Sequence, residues 1–440
     1  MEPSPLYPEL DRLISEPEGV TRLLQRMNSD YLPWDVFLAM RLPAELSPLE
    51  SWALLKRLAA AIAITFPIHD LEGTEFWYLR THKIADAVAR VQCRCRTDSS
   101  LYRDLMTARN RSVLVKSRIE ETIAAAHLDG MGISEKAAAS LLKLDRAPRN
   151  DVERVVKNTL SALDHIEDFV DEPFSADLFH RLRDLVIEGV DLEALPEAPP
   201  RLGVIRREYG HDAVGSARME RQLDAFADYA NHATGDVHDH PIVRALLLPD
   251  VFRYYRPLPD MNSQVGRLVF RLYAIKAGLP MLGMLPLSRL KLDWEEDRIP
   301  RSRVPLDRQR YTASVEYDGA DLTGWVTLSM QLAVTALEDI EQRLADLQAE
   351  DDELRDLLQH DVEINHRQRS ILGRALRNPS AEFRIAYHKT KHNVVYATAR
   401  ADLMELAEKG LLEIDKDGRA MVFRPRPGLR QFIESRYATE

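Results

Sequence analysis

Residues 254–267 read YYRPLPDMNSQVGR. A proline-fixed turn at Pro257 runs into an acid, Asp260, then Asn262, and then the start of a helix that closes the stretch at Arg267. The stretch has the form of a catalytic loop. Yet no His, Cys or Ser stands where a base or nucleophile is expected. An active site, the relic of one and an ordinary loop are the three readings it opens.

Working outward, most of residues 48–345 predicts helix. Apolar residues recur at three- and four-residue spacing in WALLKRLAAAIAI, VERVVKNTLSALDHI and DLFHRLRDLVIEGV. Pro and Gly mark loops near 196–203, 235–241 and 298–305. Strand-like alternation is scarce before the C-terminal part. Residues 328–358 form one long helical pattern, apolar-striped at first and highly charged later. It reads either as a connector leaving the body or as a packed helix with solvated last turns.

Residues 364–428 read as a separate unit. INHRQRSILGRAL predicts a short amphipathic helix. SAEFRIAYHKTKH leads into VVYATARADLMELAEKG, a helix stopped by Gly410. LLEIDKDGRAMVFRP alternates around Asp417-Gly418, a hairpin signal. Three helices and a hairpin wing make the winged-helix plan, whose third helix enters the major groove. Candidate DNA contacts are Lys389, Lys391, His392 and Arg400, with Arg419 and Arg424 on the wing. A protein-docking or dimerisation module has the same plan, and DNA stands slightly ahead of it.

Net charge is −11, which argues against indiscriminate nucleic-acid binding by the whole chain. Residues 361–440 carry 15 Lys+Arg against 11 Asp+Glu, and the rest 44 against 59, so a mildly basic module follows an acidic body. No run of about eighteen apolar residues predicts a membrane span. The N-terminal MEPSPLYPELDRL lacks a basic n-region and an apolar h-region, so no signal peptide is expected. Only Cys93 and Cys95 occur, too few for a structural zinc site of about four ligands. They fit a reducing cytoplasm, the expected location.

The segment HPIVRALLLPDVFRYYRPLPDMNSQVGRLVFRLYAIKAGLP, residues 240–280, resembles the core of the Fic family, whose loop is written HPFxDGNGRxxR. The resemblance implies transfer of AMP, or another phosphate-containing group, from a nucleotide to a protein hydroxyl, assisted by Mg2+. Backbone N–H groups at a helix N-terminus form the anion nest, and glycines allow close approach. An acid holds the metal, a His takes the proton and arginines pin the phosphates. This chain departs from that pattern. Arg256 stands at the His position, Leu258 at the Phe, Met261 and Ser263 at the two glycines and Gln264 at the first Arg, while Pro249 stands where the preceding helix commonly has a His. Pro257, Asp260, Asn262 and Arg267 are kept. A guanidinium with pKa above about 12 has no lone pair to accept a proton, and general-base catalysis contributes about 10²–10⁴-fold. Arg256 is therefore expected to be non-functional as a base.

AAHLDG, residues 125–130, resembles the family's inhibitory motif, written S/T-xxx-E-G, with Asp129 at the acid and Ala125 at the hydroxyl position. The resemblance implies a pairing of Asp129 with Arg267. The N-terminal stretches WALLKRL, FPIHDLEG and FWYLRTHKI resemble a helical region found in one Fic subgroup. PRLGVIRREYGHDAV, residues 200–214, takes the place of the target-holding flap, and a C-terminal winged helix is a common appendage. His211 and His240 are the nearest histidines in sequence, and His240-Pro241 looks like a helix start. Phe76, Trp77 and Tyr78 are read as core.

The expected fold is mainly α: a helical N-terminal region (1–110), a Fic-like core with a small hairpin flap (111–325), a connector helix (326–360) and a winged-helix domain (361–440). The inhibitory-type helix is placed at 119–131 and the motif loop at 256–267. By the resemblance Asp260 is the metal ligand, and Asn262, Ser263, Gln264 and Arg267 are the phosphate ligands, with ATP and Mg2+ as cofactors that the residues alone do not require. The bland alternatives are an Asx-capped turn for Asp260 and Asn262 and an Asp129 salt bridge for Arg267, and both are favoured. The reading is a degenerate Fic-like pseudoenzyme, a regulatory or binding protein that meets DNA or a protein partner through residues 364–428 and has a relic nucleotide pocket as a further candidate, with a homodimer as the family analogy. The alternative is a protein adenylyltransferase with altered catalytic residues.

Overall fold

Capping chemistry sets many of the helix starts. The computed structural model describes residues 20–42, 46–69, 74–107, 110–144, 146–196, 216–231, 239–359, 364–378, 380–392, 394–417 and 420–437. Among these it is mainly helical, with one two-stranded and one three-stranded antiparallel sheet. Two compact units divide it, Met1–Glu341 and Gln342–Glu440.

The first unit begins with α1 (Val20–Ser29), α2 (Trp34–Leu38) and α3 (Pro48–Ala60). Ser47 and Glu50 form a full capping box at α3, with Pro48 at the first helical position. Val20, Leu23, Phe37, Trp52, Leu55 and Trp77 close one apolar cluster. Beside it Lys56 lies between Asp318 and Asp321, while the Tyr31 hydroxyl donates to Asp318 at 2.7 Å.

The helical expectation for residues 1–110 needs one correction. Ile64–His69 (β1) pairs antiparallel with Glu75–Tyr78 (β2). Phe76, Trp77 and Tyr78 are all buried in succession, as core was expected, so the strand carries no period-two signal. Pro67 removes an N–H from β1, and the register shifts between Thr65 and His69. The unit continues with α4 (His82–Cys95), capped by Thr81, and α5 (Ser100–Leu105), capped by Ser99.

Ten further helices follow: α6 (Arg111–Leu128), α7 (Glu135–Leu144), α8 (Asp151–Asp164), α9 (Ala176–Ile187), α10 (Ser216–Ala230), α11 (Pro241–Tyr255), α12 (Asn262–Lys276), α13 (Leu287–Glu295), α14 (Arg308–Asp318) and α15 (Thr323–Gln359). Helix α12 is the centre. It is buried on most sides and packs against α8, α9 and α11. A Cβ at Gly266 would lie 3.1 Å from the Pro249 Cα and 3.3 Å from the Phe252 Cβ, so α11 and α12 approach as closely as a glycine permits. Helix α15 buries Trp325, Val326, Leu328 and Met330 in its first turns, and the boundary between the units falls within it. The flap expected at 200–214 lies outside the described residues.

The second unit comprises α16 (His366–Arg377), β3 (Phe383–Arg384), α17 (Ile385–His392), α18 (Tyr396–Glu408), β4 (Leu412–Asp417), β5 (Ala420–Pro425) and α19 (Leu429–Tyr437). Asn365 and Gln368 form the capping box of α16, and Gly410 takes a positive φ of 71° behind α18. The sheet order is β3-β5-β4, and Asp417 pairs with Ala420. The two residues between them lie outside the described set. Leu372, Phe383, Leu403, Leu406 and Phe423 form the core.

Candidate functional site

Residues 256–261 join α11 to α12. Arg256 ends α11 in the left-handed region (φ 44°, ψ 56°), with its N–H donating to the Phe252 carbonyl at 3.0 Å. Its side chain is exposed. Pro257 and Leu258 are buried and anchor the loop. Met261 is also left-handed (φ 55°, ψ 21°) and precedes the first residue of α12. A side chain in this region costs roughly 1–2 kcal/mol. The position that is glycine in the resembled pattern thus keeps a glycine's backbone while carrying a Cβ.

Asn262 shapes the loop from inside. Its Oδ1 accepts from the Leu258 N–H at 2.9 Å, and its Nδ2 donates to the Leu258 carbonyl at 2.8 Å. One amide satisfies both backbone groups of one residue. Asp260 is taken by a residue that sequence reading did not single out. Arg183, on α9, donates Nε to Oδ1 at 2.7 Å and Nη2 to Oδ2. Both carboxylate oxygens are thereby engaged in a fork-on-fork pair. The Asp260 bond is the largest influence holding the Arg183 pKa above its ordinary value.

Asp129 closes the other side. Helix α6 runs from Arg111, well before the expected start, and ends in a Schellman turn at Gly130 (φ 76°). The Met131 N–H donates to Ala126 at 2.8 Å and the Gly130 N–H to His127 at 3.1 Å. That turn fixes Asp129 at the helix end, where it is buried. Its Oδ2 accepts from Gln264 Nε2 and from Arg267 Nη1, each at 2.8 Å, and Arg267 Nη2 reaches the Ala125 carbonyl at 3.0 Å. Gln264, which replaces an arginine of the pattern, points at the same carboxylate oxygen as Arg267. Ser263 stands half-buried in the first turn of α12.

Asp129 was singled out in the sequence, whereas Glu121 on α6 was not. Glu121 accepts from the Ser288 and Arg289 N–H groups at 2.7 and 3.2 Å, in the first turn of α13. Burial pushes its pKa up against the Ser288 bond and the Arg267 charge. An acid within a helix carries no sequence signal for so distant a cap. His240 caps α11, its Nδ1 accepting from the Ile242 N–H at 3.2 Å, with burial lowering its pKa. That role suits a neutral imidazole. His211 lies outside the described residues.

In the second unit Lys389 and Lys391 are exposed on α17 and Arg400 on α18. His392 is half-buried, its ring 4.7 Å from that of His388, with burial first and His388 next lowering its pKa. Arg419 lies outside the described residues. Arg424 is engaged by Glu382 and Asp415, so the wing holds its charge internally. Val395 and Tyr396, at the start of α18, are 67% and 56% exposed. Asp402, on the buried side of α18, receives Arg367, Asn365 and His388. Burial opposes its ionisation, but these bonds hold its pKa down at about 2.

Among the described residues, no helix is long and apolar enough to cross a membrane, and no cluster of three His, Cys, Asp or Glu is arranged to hold a metal. No family profile and no curated protein matches the chain. Solved structures similar to the chain include two Fic proteins. One is a Fic family protein from Desulfovibrio desulfuricans G20, at 19% identity and a TM-score of 0.47, over 79% of this chain and 97% of that one. The other is a Fic domain containing signaling protein from Bacteroides thetaiotaomicron VPI-5482, at 14% identity and a TM-score of 0.38, over 59% of this chain and 98% of that one.

Proposed function

We propose that residues 111–325 are a Fic-like core whose motif loop has become a structural joint, and that the protein works by binding through residues 364–428. One observation carries the first half. The motif's acid, its two amides and its retained arginine are engaged inside the protein, Asp260 by Arg183, Arg267 and Gln264 by Asp129, Asn262 by Leu258, while Ser263 stands half-buried in the first turn of α12. Arg256 offers no lone pair to a hydroxyl proton. ATP and Mg2+ therefore have no prepared ligand set, and the core acts as a scaffold. The expected result with Mg2+ and α-labelled ATP is no label on the protein itself or on lysate proteins, and R256H alone does not restore it. Robust labelling by the unmodified chain overturns this reading.

For the second half, α16, α17, α18 and the β4–β5 hairpin follow the winged-helix plan, and DNA is the partner we assign. Lys389, Lys391 and Arg400 are exposed beside Tyr387 and Tyr396. In a salt series on duplex DNA, a variant with all three replaced by Gln flattens the slope of log K against log salt by about 3. A wild-type chain that binds no duplex at 50 mM salt overturns this half. The exposed Val395 and Tyr396 then point to a protein partner.

A transferase reading also has an observation behind it, the retained Asp260, Asn262 and Arg267. It requires Asp129 to release Arg267. Label appearing in D129A, and absent from the unmodified chain, brings that reading forward.

A further inference from the structure

We infer that Arg183 is a built-in cation that takes the place of a divalent metal at Asp260, so that this loop binds no metal ion. The inference rests on the reading of 256–267 as a Fic-like loop only in its choice of Asp260 as the acid to ask about.

Leu178, Phe179, Leu182 and Val186 turn one side of α9 into the core. Arg183 therefore sits at the rim of that face, with its side chain 17% exposed. Its guanidinium meets Asp260 through two parallel N–H donors, one to each oxygen. This pairing takes one lone pair on each carboxylate oxygen and sets a permanent positive charge beside the two that are left. The acid cannot swing aside, because its loop is pinned on both flanks: Pro257 and Leu258 are buried, and Asn262 clasps both backbone groups of Leu258.

A hard dication gains little here. Mg2+ sheds water reluctantly and is ordinarily held by one or two carboxylates together with substrate phosphates. It would have to sit against a permanent positive charge, which cannot be removed by deprotonation. Among the described residues no group of three His, Cys, Asp or Glu is gathered to outbid that charge, and Asp184 meets the same guanidinium at 3.4 Å. The site's counter-charge is already supplied by the chain, from a residue 77 positions away in sequence.

The test is Mn2+ uptake by the full chain, followed by the loss of the free-ion EPR signal. Mn2+ prefers the same oxygen ligands and reports binding without any reaction. Wild type and D260N are expected to take up the same small amount of ion at millimolar Mn2+. R183Q and R183M, which free the carboxylate without a new charge, are expected to gain one site at least tenfold tighter than wild type, lost again in R183Q/D260N. Stoichiometric uptake by wild type that D260N abolishes overturns the inference. So does a folded R183Q or R183M with no gain. Should both substitutions unfold the chain, the comparison of wild type with D260N decides: equal uptake upholds the inference and a D260N-sensitive site overturns it. Labelling with ATP fails or succeeds separately, so the functional reading and this inference are tested apart.

Discussion

Removing Asp129 tests the joint between α6 and α12 directly. One buried carboxylate oxygen receives both Gln264 and Arg267 at 2.8 Å. A hydrogen bond to a charged group contributes about 1.5–3 kcal/mol, and breaking a fully buried ion pair costs about 3–5 kcal/mol. Arg267 is 18% exposed and keeps the Ala125 carbonyl when Asp129 is gone, which moderates the loss. D129A is therefore expected to destabilise by about 2–3 kcal/mol. R267A leaves Asp129 buried with Gln264 alone and is expected to cost a similar amount. The two losses share one bond, so the double variant should fall short of their sum by about 1.5–2 kcal/mol. Urea unfolding followed by tryptophan fluorescence isolates the relevant unit, since Trp34, Trp52, Trp77, Trp294 and Trp325 all lie within Met1–Glu341. Additive single losses, within about 0.5 kcal/mol, would refute the claim that this contact joins the helices.

Three further outcomes follow from the geometry. M261G removes a Cβ from a left-handed residue at φ 55°. The strain released, about 1–2 kcal/mol, outweighs the added freedom of the unfolded chain, so the urea midpoint should rise by the equivalent of about 0.5–1 kcal/mol. G266A drives a methyl to 3.1 Å from the backbone of Pro249, which cannot yield as a side chain can, and should destabilise by about 1–3 kcal/mol in the same assay. Burial raises the pKa of Asp318 to about 6, against the opposing pull of Lys56. A folded value above the unfolded value of about 3.9 means stability that is fully present below about pH 3.9 and lost as pH rises through about 6. Between pH 4 and 6.5, D318N should remove that downward component from the slope of stability against pH, and identical slopes in the two proteins would exclude it.

Local chemistry accounts for what was legible in the chain. Apolar spacing marked α3, α8, α9 and α16, Gly410 bounded α18, and the alternation around Asp417 marked β4 and β5. Each of these signals is carried by residues within a few positions of one another. The same holds for Asn262 clasping Leu258, four residues away. The strands β1 and β2 escaped because three successive buried aromatics erase alternation.

What only the tertiary structure decided is which charges meet. Arg183 reaches Asp260 across 77 positions and Gln264 reaches Asp129 across 135. Glu121 caps α13 across 167. The sequence by itself determined that Asp260 stands on a proline-started loop and that Asn262 and Arg267 stand in the helix it opens. It could not say whether those groups face a ligand or one another. Helix periodicity sets which face a residue occupies, whereas the partner opposite that face depends on how separate helices pack. Packing alone brings Arg183 and Asp129 within 3 Å of the loop's polar groups, and so turns a binding motif into an internal joint.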